Sequence, residues 1–222
     1  MKNLFRAKNF VFAFVGVMTA YVLYHNESFL IQPNNPVWKH YEPFKWWLLP
    51  HGLAGACALL LAPMQFSARL RQRYTRTHRV IGRIYVVGVF ILAPLGFYIQ
   101  YLQEGSGGTR SFTVLAGVDA VLLFVTTGVA FLFALKRNIR EHRQWMTRSY
   151  AVALVFFEGR FITGVTGWET DPVMAETVIW ACLAFSVLVG DIAAHWGELR
   201  TVLPAPSEMS LKPAVPGEYV PR

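Results

Sequence analysis

The chain has 222 residues, 54% of them hydrophobic and only 15% charged, with a formal net charge of +8. A soluble domain carries about 25% charged residues, and the shortfall here lies in long uncharged blocks, which points to the membrane class. The basic residues stand in short connectors between those blocks, as the positive-inside rule requires, and this placement argues against nucleic acid as a partner.

The first block, residues 10–24, follows Lys2, Arg6 and Lys8. No small-x-small cleavage site follows it, and Tyr21, Leu23 and Tyr24 are bulky, so an uncleaved first span with a cytoplasmic N-terminus is predicted. Residues 25–45 are polar with prolines at 33, 36 and 43, an outside loop leading to an aromatic belt around Trp38, Tyr41, Phe44, Trp46 and Trp47. Residues 46–66 form the second span, in which Gly52, Ala54, Gly55, Ala58 and Ala62 permit close approach of a neighbouring helix. The arginine-rich connector of residues 67–83 marks the cytoplasmic side, with Thr77 as the expected N-cap of span three, residues 80–102. Pro94 is expected to kink that span. Span four covers residues 111–135, and Lys136, Arg137 and Arg140 return the chain to the cytoplasm. Span five covers residues 144–167, an acidic link with Glu169 and Asp171 lies outside, and span six covers residues 173–196. Residues 197–222, with five prolines, read as a disordered cytoplasmic tail. Cys57 and Cys182 fall inside spans without metal or covalent-haem spacing and read as small apolar residues.

The predicted fold is therefore all-α: a polytopic membrane helical bundle of six transmembrane helices with both termini inside. It divides into an N-terminal helix and outside loop (1–44), a five-helix membrane core (45–196) and the tail (197–222). The predicted location is a bacterial cytoplasmic (inner) membrane, with the lipid bilayer itself and anionic headgroups at the inner face as partners.

Ionisable groups inside spans are costly and tend to face inward. At about 1.5 Å rise per residue, His51, Asp119, Glu158 and Arg160 fall in one slab of the outer half, where Asp119 or Glu158 would pair with Arg160. That slab would be a structural ion pair or a buried polar site. A second set lies at the inner face. His78 and His142 both open spans that run outward and both precede an arginine, Arg79 and Arg143, with Arg83 and Arg148 further along. Asp191 and His195 end span six at the same level, where Asp191 would neutralise Arg83 or Arg148. Topology alone demands the arginines but makes no demand for imidazole. Spans three and five are alternate helices, so two imidazoles across the bundle could hold haem b, with Arg79, Arg83, Arg143 and Arg148 on its propionates. Arg160, 18 residues beyond His142, would continue one inward stripe. A divalent metal held by His78, His142, His195 and Asp191 also suits these ligand types. Ser149 has no glycine elbow, and no hydrolase signature appears.

The segments His78-Arg79-x-x-Gly82-Arg83-x-Tyr85 and His142-Arg143-x-Trp145-Met146-x-Arg148-Ser149-Tyr150, with His51-Gly52, resemble a bacterial family of predicted membrane proteins of unknown function over about residues 45–196. The resemblance implies an integral membrane protein and supplies no activity. In layout, histidines on alternating helices are similar to transmembrane b-type cytochromes and ferric-reductase-like bundles, although the second histidine pair of those bundles is missing here. Three functions compete on this reading. The first is a cofactor-binding redox protein. The second is a small-molecule or proton-coupled carrier using the outer slab. The third is a non-catalytic assembly factor or subunit whose basic inner face docks a membrane-protein partner.

Overall fold

The computed structural model describes residues 2–32, 34–105 and 107–202, and these form a helical bundle. Helix α1 (Lys2–His25) is followed by a folded segment, a 3-10 turn (Ser28–Ile31), the short α2 (Val37–Tyr41) and a second 3-10 turn (Glu42–Phe44). This segment is a cap rather than an open loop. Phe29 stacks on Tyr41 at 5.2 Å, meets Trp38 edge-on at 5.1 Å, and Tyr41 meets Phe44 at 5.6 Å. Burying Phe29 and Phe44 holds it down. Trp46, by contrast, remains exposed, as a residue at the headgroup level does.

Helices α3 (Lys45–Gln65), α5 (Thr75–Glu104), α6 (Arg110–Leu135) and α9 (Pro172–Ala194) are each long and apolar enough to cross a membrane. The six-residue α4 (Ala68–Arg73) links α3 to α5 and is capped by Ser67, whose Oγ accepts from the Leu70 N–H at 3.2 Å. Thr77 does not cap α5. The helix starts two residues earlier at Thr75 after Tyr74, and it continues through Pro94 to Glu104. Thr109 caps α6 through the Phe112 N–H, and Asp171 caps α9 through the N–H groups of Val173 and Met174.

The fifth expected span is two helices, α7 (Ile139–Ala153) and α8 (Val155–Thr166), broken at Leu154. The Leu154 N–H turns to the Ala151 carbonyl at 3.2 Å instead of the carbonyl four residues back. Gly167 then ends α8 in the left-handed conformation, φ 76°. A further short helix, α10 (Trp196–Val202), occupies the start of the expected tail, and residues 203–222 lie outside the described residues. So do the side chains of Lys2, Arg6 and Lys8.

The helices pack in the order α3–α5–α6–α7–α9, with α8 on α9 and α1 on α8. Matched levels show that neighbours are antiparallel. Cβ atoms added to Gly96 and Gly88 would stand 2.9 Å from His51 Cε1 and 3.2 Å from the Ala54 carbonyl, and Gly82 lies against Gln65. On the other side, a Cβ on Gly159 would stand 2.6 Å from Ile179 Cγ1, and one on Gly190 3.0 Å from Ala151 Cβ. Gly88 and Gly190 lie against neighbouring backbone, at the Ala54 carbonyl and Arg148 Cα, and Gly96 and Gly159 make room for the His51 and Ile179 side chains; small residues at helix interfaces are the usual means of joining helices where lipid removes any hydrophobic drive.

Candidate functional site

At the centre of the bundle three hydroxyls form a chain. Tyr85 Oη on α5 lies 2.7 Å from Ser149 Oγ on α7, and Ser149 Oγ lies 2.6 Å from Thr127 Oγ1 on α6. All three side chains are fully buried. Helices α5 and α7 pack mainly on α3, α6 and α9 rather than on each other, and the long Tyr85 side chain joins them across the bundle. This contact sets the facing of both.

His78 precedes Tyr85 by seven residues and His142 precedes Ser149 by seven. Seven residues are close to two full turns, about 10 Å along the axis, so each histidine lies on the face that its helix turns to the other. The two rings are within electrostatic reach of one another. His142 Nδ1 lies 2.9 Å from the Ala130 carbonyl on α6, an anchor that orients the ring and leaves Nε2 for another partner. His78 Nδ1 is buried with no partner.

Arginines surround this pair. Arg71 on α4 and Arg79 on α5 act on His78, and Arg143 on α7 acts on Arg71. Burial, and after it the Arg143 charge, draws Arg71 below the ordinary guanidinium value, though a guanidinium still stays charged at any physiological pH. Among the described residues no carboxylate pairs with Arg71, Arg79 or Arg143. Two further arginines, Arg140 and Arg148, are neutralised. Arg140 pairs with Glu198, and Arg148 donates through Nε and Nη2 to Asp191 Oδ1 at 3.0 and 2.7 Å. Arg148 also lies over the Trp145 ring at 4.7 Å.

The site expected from sequence therefore changes composition. Arg148 is committed to Asp191 on α9, and Arg83 sits on the exposed side of α5. His195 belongs with Asp191 and Arg148, its Nδ1 being 3.1 Å from the Asp191 carbonyl and its Nε2 3.5 Å from Arg148 Nη2. The four proposed metal ligands His78, His142, His195 and Asp191 do not converge. Among the described residues no group of three or more histidine, cysteine or carboxylate side chains is placed to hold a metal ion.

The outer slab does not converge either. Arg160 pairs with Glu27 at the start of the aromatic cap, not with Asp119 or Glu158. Glu158 Oε2 accepts from Ser186 Oγ on α9 at 2.8 Å. Asp119, 6% exposed, keeps a buried carboxylate oxygen without a partner. His51 Nδ1 is 3.0 Å from the Leu92 carbonyl on α5. The helix is interrupted at Leu154 between His142 and Arg160, and α8 packs on both α1 and α9. The groups that do gather near Arg160 are Glu27, Tyr41 and His51. Burial pushes the Tyr41 phenol up, and the Arg160 charge opposes that rise.

Sequence reasoning missed Glu27, Gln65, Arg71, Tyr85, Thr127 and Tyr150 as parts of polar centres. For Tyr85 the signal was available: the interval 78–85 repeats in 142–149. Comparison with curated proteins and with solved structures yields no match. The model of a family described as Predicted membrane protein (DUF2306) matches residues 48–194, from near the start of α3 to the last residue of α9, and the chain belongs to that family.

Proposed function

We propose that this membrane protein holds one b-type haem at its inner face, between His78 and His142, in a redox role. The observation that carries the reading is the shared register: two helices clamped face to face by Tyr85 and Ser149 at 2.7 Å each carry a histidine seven residues inward. The His142 ring, fixed through Nδ1 on a carbonyl, presents Nε2 as a ligating imidazole does. Arg71, Arg79 and Arg143 supply positive charge for the propionates. Haem bound there supplies one-electron chemistry, and the protein's part is to fix both rings and to keep the bundle interior dry above them. The test is the visible spectrum of protein purified after expression with haem supply. A Soret band that is lost in His78→Ala and His142→Ala but kept in Arg148→Ala is the expected result; its absence from the wild type overturns the proposal.

The same reading makes α1 and the α7–α8 pair the remaining two crossings of a six-span protein with both ends inside the bacterial cytoplasmic membrane. Residues 139–166 extend about 40 Å at helical rise, enough for one crossing despite the break. The basic connectors Arg69–Arg83 and Lys136–Arg143 favour the cytoplasmic side. Reporter fusions after residues 73, 106, 138 and 170 test this, with alternate locations expected.

A further inference from the structure

Residues 67–83, which carry α4 and the first turns of α5, contain six arginines and no carboxylate. Helix α5 has 30 residues, about 45 Å at helical rise. A bilayer's hydrocarbon core is about 30 Å thick, or about 40–45 Å with its headgroups, so the ends of α5 reach the headgroup layers. Tyr74, an exposed ring just before α5, suits that depth.

Arginines from two parts of the chain meet here. Arg71 of α4 lies within electrostatic reach of Arg143 in the second turn of α7, and Arg71 and Arg79 both act on His78. The backbone holds both members of the pair. The Arg71 N–H donates to the Ser67 carbonyl at 3.1 Å, and the Arg71 carbonyl accepts from Thr75 Oγ1 at 3.1 Å. The Arg143 carbonyl accepts from Thr147 Oγ1 at 3.0 Å. Among the described residues no carboxylate answers either guanidinium, not even Glu141 two residues from Arg143. Arg71 is partly exposed, and Arg79 and Arg143 are exposed, so an anion can reach all three. Like charges held near one another without a counter-charge repel, and an anion from outside the chain relieves that. We propose that Arg71 and Arg143, with Arg79 beside them, bind the phosphate of an anionic phospholipid in the adjoining leaflet. Guanidinium suits phosphate oxygens by its fork of donors. Depth favours a lipid over free phosphate, because the headgroup layer is where lipid phosphates lie. A zwitterionic headgroup would bring a further cation to a site already in surplus, so a lipid of net negative charge fits. The haem reading gives the same guanidiniums to propionates, but the phosphate needs no haem.

The test follows the melting temperature of the full chain in uncharged detergent during titration with dioleoyl phosphatidylglycerol, dioleoyl phosphatidylcholine or inorganic phosphate. It uses the wild type and His78→Ala, in which no haem contests the guanidiniums. A ligand that binds only the folded state raises the melting temperature saturably. Phosphatidylglycerol should do so and the other two should not. The rise should be lost when Arg71→Gln or Arg143→Gln is added to either chain and kept with Arg140→Gln, whose guanidinium is already paired with Glu198. A rise in His78→Ala alone means that haem occupies the site in the wild type, and it upholds the lipid site. Without lipid, Arg71→Gln should melt at or above the wild-type temperature, because it relieves repulsion. A lower value would give Arg71 a protein partner and overturn the proposal. So does no rise in His78→Ala, an equal rise with phosphatidylcholine, a rise with inorganic phosphate alone, or a rise that survives both arginine variants. A Soret band without any lipid response removes the lipid site alone, and a lipid response without a Soret band removes the haem alone.

Discussion

Ser149→Ala tests whether the three-hydroxyl chain holds α5, α6 and α7 in register. Ser149 Oγ is the middle member, 2.7 Å from Tyr85 Oη and 2.6 Å from Thr127 Oγ1. Its removal strands two fully buried hydroxyls. Thr127 has a local alternative, because a helical threonine can turn to the carbonyl one turn back, as Thr126 does to Leu122 at 2.7 Å. Tyr85 has none on its own helix, and only Thr127, which also acts on its phenol, is near enough to replace Ser149 in part. Hydrogen bonds between membrane helices measure about 0.6 kcal/mol on average, so two of them give a floor of about 1 kcal/mol. A stranded buried phenol costs about 1–3 kcal/mol, which sets the ceiling. The expected loss is about 1–3 kcal/mol, read from reversible unfolding in mixed detergent micelles. Tyr85→Phe in the Ser149→Ala background should then cost nothing further or restore stability, giving a coupling of about 1 kcal/mol in the double-mutant cycle. Additive losses, or a Ser149→Ala variant as stable as wild type, would refute the argument that this chain ties the helices together.

Gly159→Ala should destabilise by about 1–3 kcal/mol through overpacking, because its Cβ would lie 2.6 Å from Ile179 Cγ1; adding Ile179→Ala should recover part of that loss in the same unfolding assay. Gly96→Ala would set a methyl 2.9 Å from His51 Cε1 and displace the ring from the Leu92 carbonyl, so its stability loss should shrink in a His51→Ala background. Glu27→Gln, Arg160→Met and the double variant should lose similar stability, under about 1 kcal/mol for a half-exposed pair. A double variant worse than both singles would show that the two groups have separate partners.

Much of the architecture was legible in the chain. Apolar blocks bounded by charged residues marked α3, α5, α6 and α9, because bilayer thickness dictates the length of a spanning helix and charge is costly in lipid. The histidines at 78 and 142 stood out for a related reason: the inner face needs cations, not imidazole. The break at Leu154 was not legible, since residues 144–167 contain no proline and no polar interruption there. On either side of it the helices pack on α9, with Gly159 against Ile179 and Gly190 against Ala151.

Composition and charge placement alone determine that this is a helical membrane protein and which face of each helix carries polar groups, because those follow from transfer free energies and the helical repeat. Partner choice was decided only by the tertiary structure. Arg160 goes to Glu27, Arg148 to Asp191, and Asp119 is left alone. Each depends on where a side chain ends after the backbone bends, a matter of a few ångströms that residue spacing along one helix does not carry.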